Sequence, residues 1–194
     1  MERLDTNDIT AASVGRGAAH PEGMELHGTY HVVARDKDGN FLWEDTAENL
    51  VTTEGKNAAL DCVLQTNVTP NTFLGLISSV SYTAVAAGDT AAQINGTNGW
   101  KEAGSSTNFP LFSARQAPSW SAASAGSKSI STALVFTVIT TGGTVKGCFI
   151  VFQTGAVSTI ASTAGKLYSA GLFTGGDKVL SVGDTLSVSY TATA

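Results

Sequence analysis

The stretch Thr29-Tyr30-His31-Val32-Val33-Ala34-Arg35, Asp36-Lys37-Asp38-Gly39-Asn40, Phe41-Leu42-Trp43-Glu44 decides the fold class. Two runs rich in β-branched and aromatic residues flank a short polar segment, in which Asp38-Gly39 supplies the positive φ that a tight turn requires. The stretch reads as a β-hairpin.

The next segment, Thr53 to Leu64, reads as a helix with Thr53 as N-cap; Leu60, Val63 and Leu64 share a stripe that should face a sheet. Beyond it come the apolar run Phe73-Leu74-Gly75-Leu76-Ile77 and a Gly/Asn/Ser-rich stretch around 87–109. Two long apolar runs, Ser129 to Thr140 and Thr144 to Gln153, flank Thr141-Gly142-Gly143 and predict a second hairpin. Its strands should form the core, with one parity of the residues from Val145 to Phe152 facing inward. At the end of the chain Leu186, Val188 and Tyr190 alternate with Thr185, Ser187 and Ser189, the pattern of a strand with one buried and one wet face. Seven to nine strands, frequent glycine turns and one short helix predict an all-β antiparallel sandwich over residues 26–194, immunoglobulin-like or jelly-roll. Residues 1–25 show neither the helical nor the strand period and read as an extended N-terminal arm. At ~3.3 Å per residue such an arm can reach about 80 Å.

Charged residues make up 14% of the chain, against roughly 25% in an average soluble domain. The formal charge of −5, with no basic cluster, argues against nucleic-acid binding, which needs Lys and Arg gathered on one face. The opening residues lack a charged segment followed by an apolar one, and no later run reaches ~18 apolar residues, so neither a signal peptide nor a membrane span is expected. Cys62 and Cys148 read as two buried free thiols.

Candidate chemistry is sparse. Asp36, Asp38 and Asn40 alternate like the opening of a calcium loop, but Gly39 falls between the second and third ligands and the distal Glu is missing, which favours a hairpin turn. Glu25, His27 and His31 make a three-ligand metal site conceivable; surface histidines on a strand are the commoner arrangement. The histidines His20, His27 and His31 all precede any strand-turn-helix element that could carry a nucleophile, and no Gly-x-Ser-x-Gly motif occurs. Beyond residue 65 the carboxylates are Asp89, Glu102, Asp177 and Asp184, in settings that suggest turns. No catalytic residue, metal or cofactor is therefore expected. Trp43 should pack in the core; Trp100 and Trp120, in the loop-rich middle, are candidates for an interface or for stacking on a sugar, with packing as the other reading.

One further pattern lies in the order of segments: Gly28 to Asn40, Asn49-Leu50-Val51-Thr52-Thr53-Glu54-Gly55, Phe73 to Ile77, Gly99-Trp100-Lys101-Glu102, Arg115-Gln116-Ala117-Pro118-Ser119-Trp120 and Gly183 to Tyr190. This order, over residues 26–192, resembles a group of tailed-bacteriophage virion proteins. The resemblance implies a non-enzymatic β-sandwich, made in the host cytoplasm and placed on the particle surface, often as trimers or clusters. The expected function is that of a capsid decoration (cement) protein that binds the major capsid protein and further copies of itself. Its candidate interface residues are Trp100, Arg115 and Trp120, with Arg3, Leu4 and Ile9 in the arm. The competing expectation is a tail, baseplate or fibre component that binds a host-surface glycan through loop aromatics.

Overall fold

A computed structural model describes residues 26–64 and 71–194. Among them are ten strands: β1 (His27–Arg35), β2 (Phe41–Val51), β3 (Thr72–Ser78), β4 (Lys101–Glu102), β5 (Ser127–Ser129), β6 (Leu134–Thr137), β7 (Gly143–Phe152), β8 (Lys166–Leu172), β9 (Lys178–Leu180) and β10 (Thr185–Thr193). One α-helix, α1 (Thr53–Leu64), follows β2. All pairings are antiparallel, in the order β4-β3-β7-β8-β2-β1-β10-β5, with β6 also on β10 and β9 also on β7. The predicted all-β, sandwich-like class is what the chain forms.

The first hairpin pairs β1 with β2, and its turn uses the calcium-like spacing for backbone hydrogen bonds. Asp36 Oδ1 accepts the backbone N–H groups of Asp38 (2.9 Å) and Asn40 (2.8 Å), so the carboxylate closes its own turn. Gly39 takes φ 86° there, the left-handed region that its lack of Cβ makes inexpensive.

β2 is the fold's hinge. Its residues up to Glu48 pair with β1, whereas Asn49, Leu50 and Val51 pair with β8, so one strand serves two sheets that face each other. Between them lies the larger core: Tyr30, Val32, Leu186 and Val188 from one sheet meet Leu74, Leu76, Cys148 and Ile150 from the other. A second core covers the opposite face of the β3–β7–β8 sheet, where Ile77, Phe149, Val151 and Leu167 meet Ala91, Ile94 and Trp100 from the long connection after β3. Gly75 makes this possible, because a Cβ there would run into the Phe149 ring.

Five sequence expectations are corrected. The apolar runs around Thr141-Gly142-Gly143 do not form a hairpin: β6 pairs with β10 in one sheet and β7 with β3, β8 and β9 in the other. The two runs bury their apolar faces against a common core from opposite sides, so the connection crosses between sheets. Nor does β7 bury one parity only. Phe149 and Ile150 are 0% and 2% exposed, each inside a different core.

The helix is present, but its buried face is not the predicted one. Leu60, Val63 and Leu64 are exposed, and Gly55 and Ala58 are buried instead. α1 lies so close to β8 that a Cβ on Gly55 would collide with the Tyr168 carbonyl, so only small residues fit the contact. The cap is Thr52 rather than Thr53: its hydroxyl accepts the Gly55 N–H at 2.9 Å and donates to the Leu167 carbonyl at 2.5 Å, fastening the helix start to β8.

Both cysteines are free, Cys148 buried and Cys62 only half-buried, which corrects the expectation of two buried thiols. Burial pushes the Cys148 thiol far above its ordinary value, leaving it an inert core residue. Trp43 is half-buried, packed 5.8 Å from the Phe173 ring with the Lys178 ammonium over its face.

Candidate functional site

Two of the residues expected at an interface lie inside the molecule. Trp100 is 0% exposed; its indole N–H donates to Asp89 Oδ2 at 2.8 Å and its ring packs 5.2 Å from Phe149. Arg115, 1% exposed, holds its guanidinium 5.4 Å from the centre of the same Phe149 ring and forms a two-pronged ion pair with Glu102, Nε to Oε1 and Nη2 to Oε2, both at 2.8 Å. Arg115 Nη2 also donates to the Ser162 carbonyl (2.7 Å), and Glu102 Oε2 accepts the Ala161 N–H (2.7 Å). Burial raises the Glu102 pKa and the guanidinium opposes it. The pair ties β4, the Arg115 segment and the 157–162 loop together, so Glu102 is a buried structural carboxylate rather than a turn residue. Asp89 and Asp184 do serve turns, accepting the N–H groups of Ala86 and Ser181.

Trp120 is the one of these candidates that reaches a surface opening. An isolated bridge to Ile130, flanked by Ser121 N–H to the Ser129 carbonyl (2.9 Å) and Ser131 N–H to the Ser119 carbonyl (2.8 Å), holds the Trp120 segment beside β5. The half-buried indole meets the Tyr190 ring edge-on at 6.2 Å. Together with Ile150, Phe152 and Tyr168 these rings wall a cleft of about 160 Å³ at the open mouth between the two sheets, with Thr72 and Lys128 at its rim. Tyr190 also packs 4.6 Å from Tyr30 and lies where a Cβ on Gly28 would otherwise stand, which accounts for that glycine.

The tyrosine hydroxyls in and behind the cleft wall are already engaged. Tyr190 Oη accepts Asn49 Nδ2 at 2.8 Å, and Tyr30 Oη shares a 2.8 Å hydrogen bond with Ser169 Oγ. Burial raises the pKa of all three tyrosines, Tyr30, Tyr168 and Tyr190, so they stay neutral. Such walls offer aromatic surface but few free polar groups, a chemistry that suits an apolar side chain better than a sugar ring, whose hydroxyls need several fixed partners. Arg3, Leu4 and Ile9 lie outside the described residues.

Two further ion pairs lie outside the cleft. His31 Nε2 is 2.6 Å from Glu44 Oε1 on the outer face of β1 and β2, and no group of three or more His, Cys, Asp and Glu among the described residues is placed to hold a metal ion. Asp45 Oδ2 pairs with Lys178 at 2.7 Å and its carboxylate accepts from Thr174 Oγ1 (2.7 Å) and the Gly175 N–H (2.9 Å). Burial acts to raise its pKa, but Lys178 and these donors outweigh it and hold the carboxyl at about 2. Because the folded value lies below the ordinary 3.8, the stabilisation is present above about pH 4 and is lost as the pH falls through about 2. Acid unfolding of Asp45→Asn followed by circular dichroism is therefore expected to show a flatter stability profile than the parent between those limits; parallel profiles would contradict the assignment.

Sequence reasoning missed Glu102 because its partner Arg115 comes from a separate loop with no periodic relation to it. It also had no signal for the cleft, whose walls come from β7, β8, β10 and the Trp120 segment. No family model, curated protein or solved structure matches the chain.

Proposed function

We propose that this chain is a non-enzymatic structural protein of a tailed-phage particle, a decoration protein that covers the outer shell and binds the major capsid protein and further copies of itself. The observation that carries this reading is the outer face of β10 and of β5 and β6 beside it. From β10 outward its side chains are Thr185, Ser187, Ser189 and Thr191, then Val135 and Ser129 on the neighbouring strands, with no charged residue among them. Val33, Ser187 and Val135 stand in one cross-strand row, and Val135 is 52% exposed. Interface cores are depleted of charge because an ion buried without a partner costs several kcal/mol, whereas hydroxyls that pair locally, as Ser129 Oγ and Thr191 Oγ1 do at 2.8 Å, lose little. The resemblance to phage virion proteins supplies the particle, and this neutral face supplies the means of contact.

Purified protein mixed with undecorated capsids is expected to saturate them at hundreds of copies per particle. Val135→Glu and Ser187→Glu, which place a charge on the neutral face, are expected to weaken that binding about tenfold or more, equivalent to at least ~1.4 kcal/mol, without lowering the melting temperature. Absence of the protein from heads, or a complement of a few tens of copies on tails, would overturn the decoration reading.

A further inference from the structure

We propose that the open edge of β6 pairs with the same edge of a second copy, antiparallel and about a two-fold axis through Val135, so that one sheet runs across both chains. Strand parity defines the edge. Val138 N–H donates to the Asp184 carbonyl and Ile130 N–H to the Tyr190 carbonyl, both at 2.9 Å, so the even-numbered residues of β6 are the ones that bond to β10. Val135 and Thr137 therefore turn their backbone N–H and C=O groups away from β10. Among the described residues nothing pairs with those groups, and both residues are exposed.

The ends of the open stretch select a second copy as the occupant. Ser131 N–H donates to the Ser119 carbonyl at 2.8 Å and Ile139 N–H to the Leu111 carbonyl at 3.0 Å, which closes the edge on either side of residues 132–138. Val135 is the midpoint of that stretch, so a two-fold axis there sets each open stretch against the other and meets the closed ends only beyond it. Val135 then faces its own counterpart, with Cβ atoms roughly 4.5–5.5 Å apart, and Thr137 faces the counterpart of Ala133. A register shifted toward Thr137 would drive the incoming strand into the Leu111 segment. Sheet edges that stay single carry Lys, Pro or inward-turned charges. Residues 129–145 contain no charged residue and no proline, and Val135 is 52% exposed. At the far end of the strand order, by contrast, β3 is covered by β4 and by the bridge from Leu74 to Gln116. Pairing through β6 extends the neutral outer face across two copies, yet it needs no capsid, so its outcome is separate from that of the decoration reading.

Sedimentation equilibrium of the full chain, without capsids, is expected to show a dimer that dissociates on dilution. Val135→Lys and Val135→Glu each set like charges opposite one another across the axis, and each is expected to weaken the dimer tenfold or more. An equimolar mixture of the two variants is expected to recover it, because opposite charges then meet, and that recovery also shows that both variants fold. In the parent, amide hydrogen exchange at Val135 and Thr137 is expected to slow with rising concentration, while Phe136, bonded to β10, changes little. A parent that stays monomeric over a hundredfold range of concentration would overturn the proposal, as would a trimer, a mixture without recovery, or fast exchange at Val135 within the dimer. Protection of this edge only when capsids are added would overturn it too, assigning the edge to a strand of the capsid protein.

Discussion

Replacing Arg115 with alanine is expected to lower stability by roughly 3–5 kcal/mol, because it leaves the Glu102 carboxylate buried with the Ala161 N–H as its remaining partner. For a chain of this length that is a fall in melting temperature on the order of 6–20 °C, readable by calorimetry. The loss should depend on pH in a defined direction. Without the guanidinium, burial acts on Glu102 with only the Ala161 N–H to oppose it and raises its pKa further, so the carboxyl takes up a proton in the folded variant more readily as the pH falls. The deficit relative to the parent is therefore expected to shrink on acidification. Glu102→Leu combined with Arg115→Met should recover part of the loss, since both charges leave together. Recovery stays incomplete because the Ser162 carbonyl and the Ala161 N–H lose their partners. A cost below about 1 kcal/mol for Arg115→Ala would mean that the pair is solvated, as surface pairs are.

The second large effect concerns adjacent positions on β7. Phe149→Ala and Ile150→Ala are each expected to cost about 2–5 kcal/mol, Phe149 at the upper end, because each removes a buried side chain from a packed cluster that cannot fully collapse around the void. Ile150 fills the space between the two sheets; Phe149 lies on the other face, against Trp100 and the Arg115 guanidinium. A sheet wet on one side would tolerate one of these changes. Urea unfolding of the two single variants distinguishes the cases, and a loss under 1 kcal/mol at Phe149 would show that the loop layer over that face contributes no core.

What the sequence determined by itself is local. The first hairpin was legible from residues 29–44 because Asp36 and Gly39 encode the turn within five residues, and no distant contact is needed to choose it. The period-two alternation at Thr185 to Tyr190 likewise revealed β10 and its buried face. The existence of α1 was legible too, but its buried face was not. The stripe of Leu60, Val63 and Leu64 is the more apolar one, yet the β8 backbone approaches so closely that Gly55 and Ala58 take the contact.

Tertiary structure decided what each strand pairs with. The runs on either side of Gly142-Gly143 carry equal apolar character, and nothing within them distinguishes pairing with each other from pairing with β10 and β3. That choice depends on which arrangement buries both faces of β7, and the second face is covered only once the long connection carrying Trp100 folds over it. The same reasoning places Arg115 inside: its charge reads as a surface residue until Glu102, from another loop, meets it in the interior. Turns are fixed by the conformational preferences of a few consecutive residues, whereas strand partners, buried ion pairs and the aromatic cleft follow from burial, which is a property of the whole folded chain.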